Sequence, residues 1–273
     1  MTEGPVRRVR GTVVGVKPVF SIIVPAYNEE RRIAQTLLAY APVFADSEII
    51  VVLDGCTDRT AELVHEASAT YRCVRAIETA TRAGKGGAVV AGMAHATADV
   101  VGFTDADGAT EPDEMRRLCE IARTRDAVVG SRWLPEADVV VPQPLVRRAA
   151  SRVFNRIVRS LFGLRVSDTQ CGAKAFRADA LAPVLVEIET ADFAFDVDLL
   201  VALARRGCDI TEVPVRWRHV GGSKVDLAGG AAKMLVAVMR LWLRHSRFAA
   251  AVPAFDRIFR TRQTRAPLSD VVA

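Results

Sequence analysis

Asp105 and Asp107 stand two residues apart in the stretch Val100 to Glu111, VVGFTDADGATE, where a short apolar run ends at Thr104. Extended backbone turns residues at this spacing to the same side. Two carboxylates on one side repel each other unless a cation lies between them. Hard oxygen donors beside a phosphate suit Mg²⁺ or Mn²⁺, so a divalent cation held by Asp105 and Asp107 is one chemical reading. The other is an acidic turn in which Gly108 supplies an unusual dihedral before a helix at Glu111. For an isolated Asp-x-Asp the turn is the commoner case, and the rest of the chain has to decide between the two.

Other polar groups fall at similar strand ends. Pro25 to Glu29 reads PAYNE: Tyr27 could lie against a planar base, or it could pack while Asn28 caps a helix beginning at Glu29. Asp54 closes a second apolar run, where an acid commonly accepts hydrogen bonds from a nucleoside. Gly84, Lys85, Gly86 and Gly87 resemble a phosphate cradle without the P-loop spacing. Arg132 and Lys224 read either as neutralisers of phosphate charge or as ordinary surface cations.

The elements that must position these groups alternate in type. Strands are expected at Val19 to Val24 (ended by Pro25), Ile49 to Leu53, Val74 to Ile77, Val100 to Phe103 and Ala127 to Gly130. Helices with apolar stripes fall between them, at Glu29 to Ala41, Arg59 to Ala69, Gly87 to Ala96 after a loop at 82–87, and Glu111 to Arg123. This pattern predicts βα units and a mostly parallel open sheet flanked by helices, with ligands at the carboxyl edge. Beyond Gly130 the reading is a loop from Ser131 to Pro144, then helices at Val146 to Phe162, Phe195 to Arg206 and Gly230 to Arg247, with a strand at Ile210 to Trp217.

With 273 residues, half of them apolar, the chain can bury a large core. Its longest apolar run, Phe248 to Phe255, is eight residues and contains Pro253, whereas a spanning helix needs about 20. Five cysteines without a C-x-x-C pair argue against a disulfide framework or a zinc site. From Lys233 to Arg265 there are eight Lys or Arg and one acid, Asp256, a skew that suits an anionic membrane surface; no nucleic-acid motif accompanies it. Residues 1–17 are expected to form a mobile basic arm, 18–228 the main domain, 229–250 a basic amphipathic helix at the membrane surface, and 251–273 a weakly ordered tail. The arginine-rich helix at Val146 to Phe162 is an equal candidate for lipid contact or for a solvated face. A cytoplasmic location, peripheral to the membrane, is the corresponding expectation.

Taken together, SIIVPAYNEE, VVLDGCTDRT, RAGKGGAVVAGM, TDADGATEPDE, VGSRW, SDTQCGAKAF, FDVDLL and WRHVGGSK resemble, in order, glycosyltransferase family two. The likeness is to its dolichyl-phosphate glucosyltransferases and polyprenyl-phosphate mannose synthases, with DADGAT and DTQCGxK pointing to the glucosyl branch. It implies a GT-A fold and a bound Mg²⁺ or Mn²⁺. Pro25, Tyr27, Glu29, Val52 and Asp54 would hold the nucleoside, with Lys85 at the phosphates, and Asp105, Ala106 and Asp107 would hold metal and diphosphate. Arg132, Arg218 and Lys224 would face the donor diphosphate and acceptor phosphate. Arg147, Asp168, Gln170, Asp196 and Asp198 would shape the acceptor side, and Asp105, Asp107, Arg132 and Lys224 form the catalytic set. Leu53 to Cys56 depart from the family's usual DDGS, and Ala109 replaces a polar residue found in mannose synthases. The implied reaction is inverting transfer of a hexosyl group, glucose favoured, from a UDP-sugar to a polyprenyl phosphate, with a small membrane-anchoring subunit as a further expected partner. A soluble transferase acting on a polysaccharide or small acceptor, a GDP-mannose-dependent synthase and a non-catalytic nucleotide-sugar sensor are the competing readings.

Overall fold

The computed structural model describes residues 17–79, 82–190, 192, 194–220 and 227–259. In chain order these form β1 (Ser21–Ala26), α1 (Ile33–Val43), β2 (Glu48–Asp54), α2 (Thr60–Thr70), β3 (Val74–Thr79), α3 (Gly84–Ala94), β4 (Val100–Phe103), α4 (Pro112–Ala122) and β5 (Ala127–Ser131). Then come β6 (Asp138–Val141), α5 (Leu145–Phe162), β7 (Lys174–Arg177), α6 (Ala178–Leu185), α7 (Phe195–Arg205), β8 (Ile210–Pro214), β9 (Arg216–Arg218), α8 (Leu227–His245) and α9 (Val252–Phe259). Seven strands make one sheet in the order β3-β2-β1-β4-β7-β5-β8, with β7 antiparallel to both neighbours and the other pairs parallel. One face is covered by α1, α2 and α4 around Ile33, Leu37, Tyr40, Val64 and Met115; the other by α3, α6 and α7 around Val89, Met93, Leu181, Phe195 and Leu199. Strands buried on both faces need apolar side chains throughout, which is why β2 reads as the continuous run EIIVVLD.

Several elements differ from the sequence expectation. β1 continues through Pro25 to Ala26. Ile23 O accepts from Thr104 N–H, so the odd-numbered positions turn their polar groups toward β4; β4 ends at Phe103, and the donor that Pro25 lacks has no partner there to lose. The expected loop at 82–87 is helical from Gly84 onward, because Asp54 accepts the N–H groups of Ala83 and Gly84 and fixes the first turn. Gly86 and Gly87 suit close packing: a Cβ at Gly86 would stand 2.5 Å from Phe195 Cβ. The single strand expected at Ile210 to Trp217 is broken at Val215 into β8 and β9, and β9 pairs with β6 in a separate two-stranded sheet. β6 falls within the stretch from Ser131 to Pro144 expected to be a loop, whereas β7 and α6 had no sequence assignment.

The C-terminal helices also differ. Chain 252–259, expected to be weakly ordered, is helical and joined to α8 by Arg240, whose Nε lies 2.8 Å from Asp256 Oδ1. Arg240 and Arg244 also pair with Glu189. Two cations expected to face lipid therefore point into the protein, the Arg240 side chain being 15% exposed. Val238 and Leu241 pack with Val158 and Leu200 in a third core.

α1 reaches the acidic loop from below. Thr36 Oγ1 donates to Ala106 O at 2.9 Å, and Tyr40 OH donates to Thr110 O at 3.0 Å. The loop is thereby tied to a buried helix at two points.

A Cβ at Gly92 in α3 would overlap Ile23 Cγ2 and stand 3.0 Å from Val52 Cγ2. Gly92→Ala should therefore lower stability by about 1–3 kcal/mol through overpacking, despite the better helix propensity of alanine. Thermal unfolding checks this; an unchanged or higher Tm would mean that α3 shifts freely over the sheet.

Candidate active site

The sheet order reverses at β1, whose neighbours are β2 and β4, so the loops leaving β1 and β4 diverge and open a crevice at the carboxyl edge. β7 runs the opposite way, which brings its beginning, and the segment before it, to that same edge. A cavity of about 640 Å³ occupies the crevice. Its wall includes Pro25, Tyr27, Glu29, Asp54, Lys85, Asp105, Ala106, Asp107, Arg132, Arg147 and Gln170 among the residues expected from sequence.

Asp105 and Asp107 lie at one end. Burial and the charge of Asp105 push the Asp107 carboxyl up to about 6. Burial works against the Asp105 charge most strongly, but the Lys85 ammonium, 2.9 Å from its Oδ1, together with Lys174 and Arg132 outweighs that cost and holds it below the usual carboxylate range. Asp107 Oδ1 accepts the Ala109 N–H at 3.0 Å, an Asx-type closure of the turn. The stretch is thus an acidic turn whose two carboxylates share one cavity. Gly172 makes this packing feasible, since a Cβ there would overlap Asp105 Oδ2.

The cationic side is built from below. Arg132 Nε and Nη2 lie 2.7 and 2.8 Å from the two Asp168 oxygens, a bidentate pair with Asp168 fully buried. Burial alone would lower the arginine and raise the acid; their mutual charge reverses both. Glu212 accepts the Ser167 and Asp168 N–H groups at 2.9 and 3.0 Å and so fixes the backbone that presents Asp168. The Arg132 guanidinium also sits 5.2 Å from the Trp217 ring.

On the opposite wall, the Arg82 guanidinium stacks 3.8 Å over the Tyr27 ring. Asp54 accepts from Ala83 N at 2.6 Å, Gly84 N at 2.9 Å and Thr79 Oγ1 at 3.3 Å. Its carboxylate therefore organises the start of α3 as well as facing the cavity.

Not every expected residue is brought to the cavity. Val52 is buried in the core beneath α3, and Arg218 is exposed on β9, outside the lining. Asp168 acts through Arg132, and Asp196 through Lys85 and Lys174. Asp198 accepts the Glu189 and Thr190 N–H groups at 3.0 Å, and burial raises its carboxyl; it fastens the 189–190 backbone and lies outside the lining. Lys224 lies outside the described residues. Sequence reasoning missed Arg32, Arg82, Gln143, Phe154, His219 and Met234 in the wall, and the buried Lys174. A lysine within the otherwise apolar segment CGAKAF is the signal that could have found it, because a buried ammonium requires a carboxylate.

Residues 21–185 match the family description Glycosyl transferase family 2. The chain belongs to that family. It is 34% identical over 245 residues to the glycosyltransferase AglD of Haloferax volcanii, a match covering 86% of this chain but 38% of AglD. The undecaprenyl-phosphate mannosyltransferase of Micrococcus luteus is 33% identical over 226 residues, covering 81% and 92%. The dolichyl-phosphate beta-glucosyltransferase of Saccharomyces cerevisiae is 31% identical over 238 residues, covering 78% and 71%. Among solved structures, glucosyl-3-phosphoglycerate synthase of Mycobacterium tuberculosis in complex with Mn²⁺ and UDP-glucose superposes with a TM-score of 0.64 at 20% identity, over 83% and 79% of the two chains. The architecture is thus of the GT-A type expected from the sequence.

Gly172→Ala should displace Asp105 and reduce glycosyl transfer by roughly a hundredfold, the order expected when a site group is misplaced by about 1 Å. Activity and thermal unfolding measured together check this; near-normal activity would show that Asp105 tolerates displacement.

Proposed function

We propose that this protein transfers a hexosyl group, glucose favoured, from a UDP-sugar to a polyprenyl or dolichyl monophosphate at the cytoplasmic membrane face, with inversion at the anomeric carbon. The observation that carries this reading is one cavity whose lining combines the acids Asp105 and Asp107, the cations Lys85, Arg132 and Arg147, and the apolar residues Ala150, Phe154, Val220 and Met234. A diphosphate sugar and a lipid phosphate each find a matching surface there. The names of the Micrococcus and Saccharomyces relatives favour the same acceptor class.

The donor set suits Mg²⁺ or Mn²⁺. Among the described residues no group of three His, Cys, Asp or Glu could hold an ion, and Mg²⁺ commonly takes one or two carboxylates together with substrate phosphates. Burial first and the charge of Asp105 second raise the Asp107 carboxyl, and a cation between the two would offset both. When bound, the ion would supply Lewis-acid neutralisation of the departing diphosphate. Arg132, held rigid by Asp168, is placed to add to that neutralisation at no cost in reorganisation. Tyr27 and Arg82 form a stacked edge for the base. Gln170 Nε2 is buried with no hydrogen-bond partner among the described residues, leaving an amide donor for a substrate hydroxyl or phosphate oxygen. A lipid monophosphate has its second pKa at about 6, so it arrives largely as a dianion and attacks without a general base. Single displacement then inverts the anomeric centre, and no side chain need act as a covalent nucleophile.

For membrane contact α5 has the stronger support over α8, whose Arg240 and Arg244 are paired within the protein. Leu145 and Val146 are 78% and 75% exposed, Val140 and Val141 of β6 are exposed, and Arg147, Ala150 and Phe154 of the same helix line the cavity. An apolar end beside cations, leading to the acceptor side, suits an interfacial helix. No helix among the described residues is long and apolar enough to cross a membrane.

Purified protein assayed with a panel of nucleotide sugars and a polyprenyl phosphate, with Mg²⁺ or Mn²⁺, tests the reaction. A β-linked lipid-phosphate hexose is expected, and transfer confined to water-soluble acceptors would overturn the assignment. Asp107→Asn should abolish transfer while leaving the fold intact; wild-type rates in saturating Mn²⁺ would contradict its placement. Leu145→Glu with Val146→Glu should weaken sedimentation with phosphatidylglycerol vesicles at least about tenfold, since burying each aliphatic side chain is worth about 1.5–3 kcal/mol. Unchanged vesicle binding would remove α5 from the interface.

A further inference from the structure

Lys85 stands between two carboxylates of different character. Its Nζ is 2.9 Å from Asp105 Oδ1 and 3.6 Å from Asp196 Oδ2. The Asp105 side chain is 38% exposed toward the cavity, whereas Asp196 is 2% exposed. The other Asp196 oxygen lies 2.6 Å from Lys174 Nζ, and that ammonium, fully buried, also donates to Cys171 O at 2.6 Å. Lys174 is therefore fixed, while Asp196 keeps one oxygen turned toward Lys85.

A divalent cation entering from the cavity meets Asp105 with an ammonium already on it. Two cations cannot crowd one carboxylate in a partly desolvated site without strong repulsion, so the lysine has to move as the ion binds. Were there no second carboxylate, the displaced ammonium would be left uncompensated in a side chain that is 16% exposed. Asp196 removes that cost. A lysine suits the role because its charge is compact and its stem flexible, so it crosses a gap of this size without rebuilding the backbone. The ammonium groups of Lys85 and Lys174 lie 5.7 and 5.2 Å from the Phe103 ring, whose face accepts positive charge in either position.

We propose that Lys85 is a resident counter-cation of the acidic edge that yields Asp105 to an incoming divalent ion by withdrawing to Asp196, and that Lys174 is a positioning residue setting how strongly Asp196 draws it. The proposal rests on the reading of Asp105 and Asp107 as the cation site. It makes the empty and loaded sites nearly equal in buried charge compensation, so loading the ion leaves neither an orphaned lysine nor an orphaned aspartate.

The test is titration of the full-length protein with Mn²⁺ alone, following free Mn²⁺ by electron paramagnetic resonance. Lys85→Met removes the competitor and should tighten Mn²⁺ binding by about tenfold, the equivalent of one charge-assisted contact of about 1.4 kcal/mol. Asp196→Asn removes the place of withdrawal and should weaken binding by a similar factor. Lys174→Met leaves Asp196 to draw Lys85 off Asp105 and should tighten it. In a Lys85→Met background, both second substitutions should change affinity by less than about threefold, because their effect passes through the lysine. Lys85→Met would tighten binding in a static charge network as well, so the second substitutions decide: in a static network the Asp196→Asn loss and the Lys174→Met gain persist without Lys85, and either persistence, or a Lys85→Met affinity that is unchanged or weaker, overturns the proposal. If Asp196→Asn does not fold, Lys174→Met with and without Lys85→Met makes the same comparison. Failure of the wild-type protein to bind Mn²⁺ would instead overturn the metal reading on which the proposal stands.

Discussion

The repulsion between Asp105 and Asp107 is the constraint around which the cavity is arranged. Two carboxylates at the end of β4, one of them pushed up to about 6 by burial and by its neighbour, are tolerable only because the surrounding elements supply positive charge and hydrogen-bond donors. Lys85 comes from the first turn of α3 and pairs with Asp105, Ala109 closes the turn on Asp107, and Arg132 arrives from the end of β5. Neither Lys85 nor Arg132 is near the pair in sequence. The open sheet brings them together by ending its parallel strands at one edge.

β7 contributes by running against the rest of the sheet. An antiparallel strand inserted between β4 and β5 delivers its beginning to the edge where its neighbours end. The segment before it therefore lies beside the acidic loop: Gly172 makes room for Asp105, Gln170 enters the wall, and Asp168 holds Arg132 in a bidentate pair. A purely parallel sheet would place these residues at the opposite end. The buried Lys174 opens β7, and its partner Asp196 lies in the first turn of α7, so the two elements least related to the βα repeat are joined by charge at the site.

The C-terminal helices relate to this centre through Glu189. Arg240 and Arg244 of α8 pair with it, Asp198 holds the Glu189 and Thr190 backbone, and Thr190 O lies within 2.6 Å of where a Cβ at Gly86 would stand. The cations of α8 thus brace the segment that packs on the first turn of α3, next to Lys85. The exposed apolar end of α5, by contrast, shares its helix with cavity residues.

The amino-acid sequence by itself determined the alternating βα frame, the acidic strand end and part of the cavity wall, because local apolar periodicity marks elements and polar residues at strand ends mark the edge. It also carried the family, through eight short segments in order, without locating them in space. The tertiary structure decided what depended on pairing between distant segments. Pro25 could remain in β1 only because β4 stops short of it, and the 84–87 turn became helical only because Asp54 caps it from another strand. β7, a four-residue strand holding a lysine, has no pattern of its own and forms through its two neighbours. The arginines of α8 read as a lipid-facing stripe by composition, but their partners Glu189 and Asp256 lie 51 and 16 residues away in the chain. Charge count is a property of the sequence; which charges are already satisfied is a property of the fold.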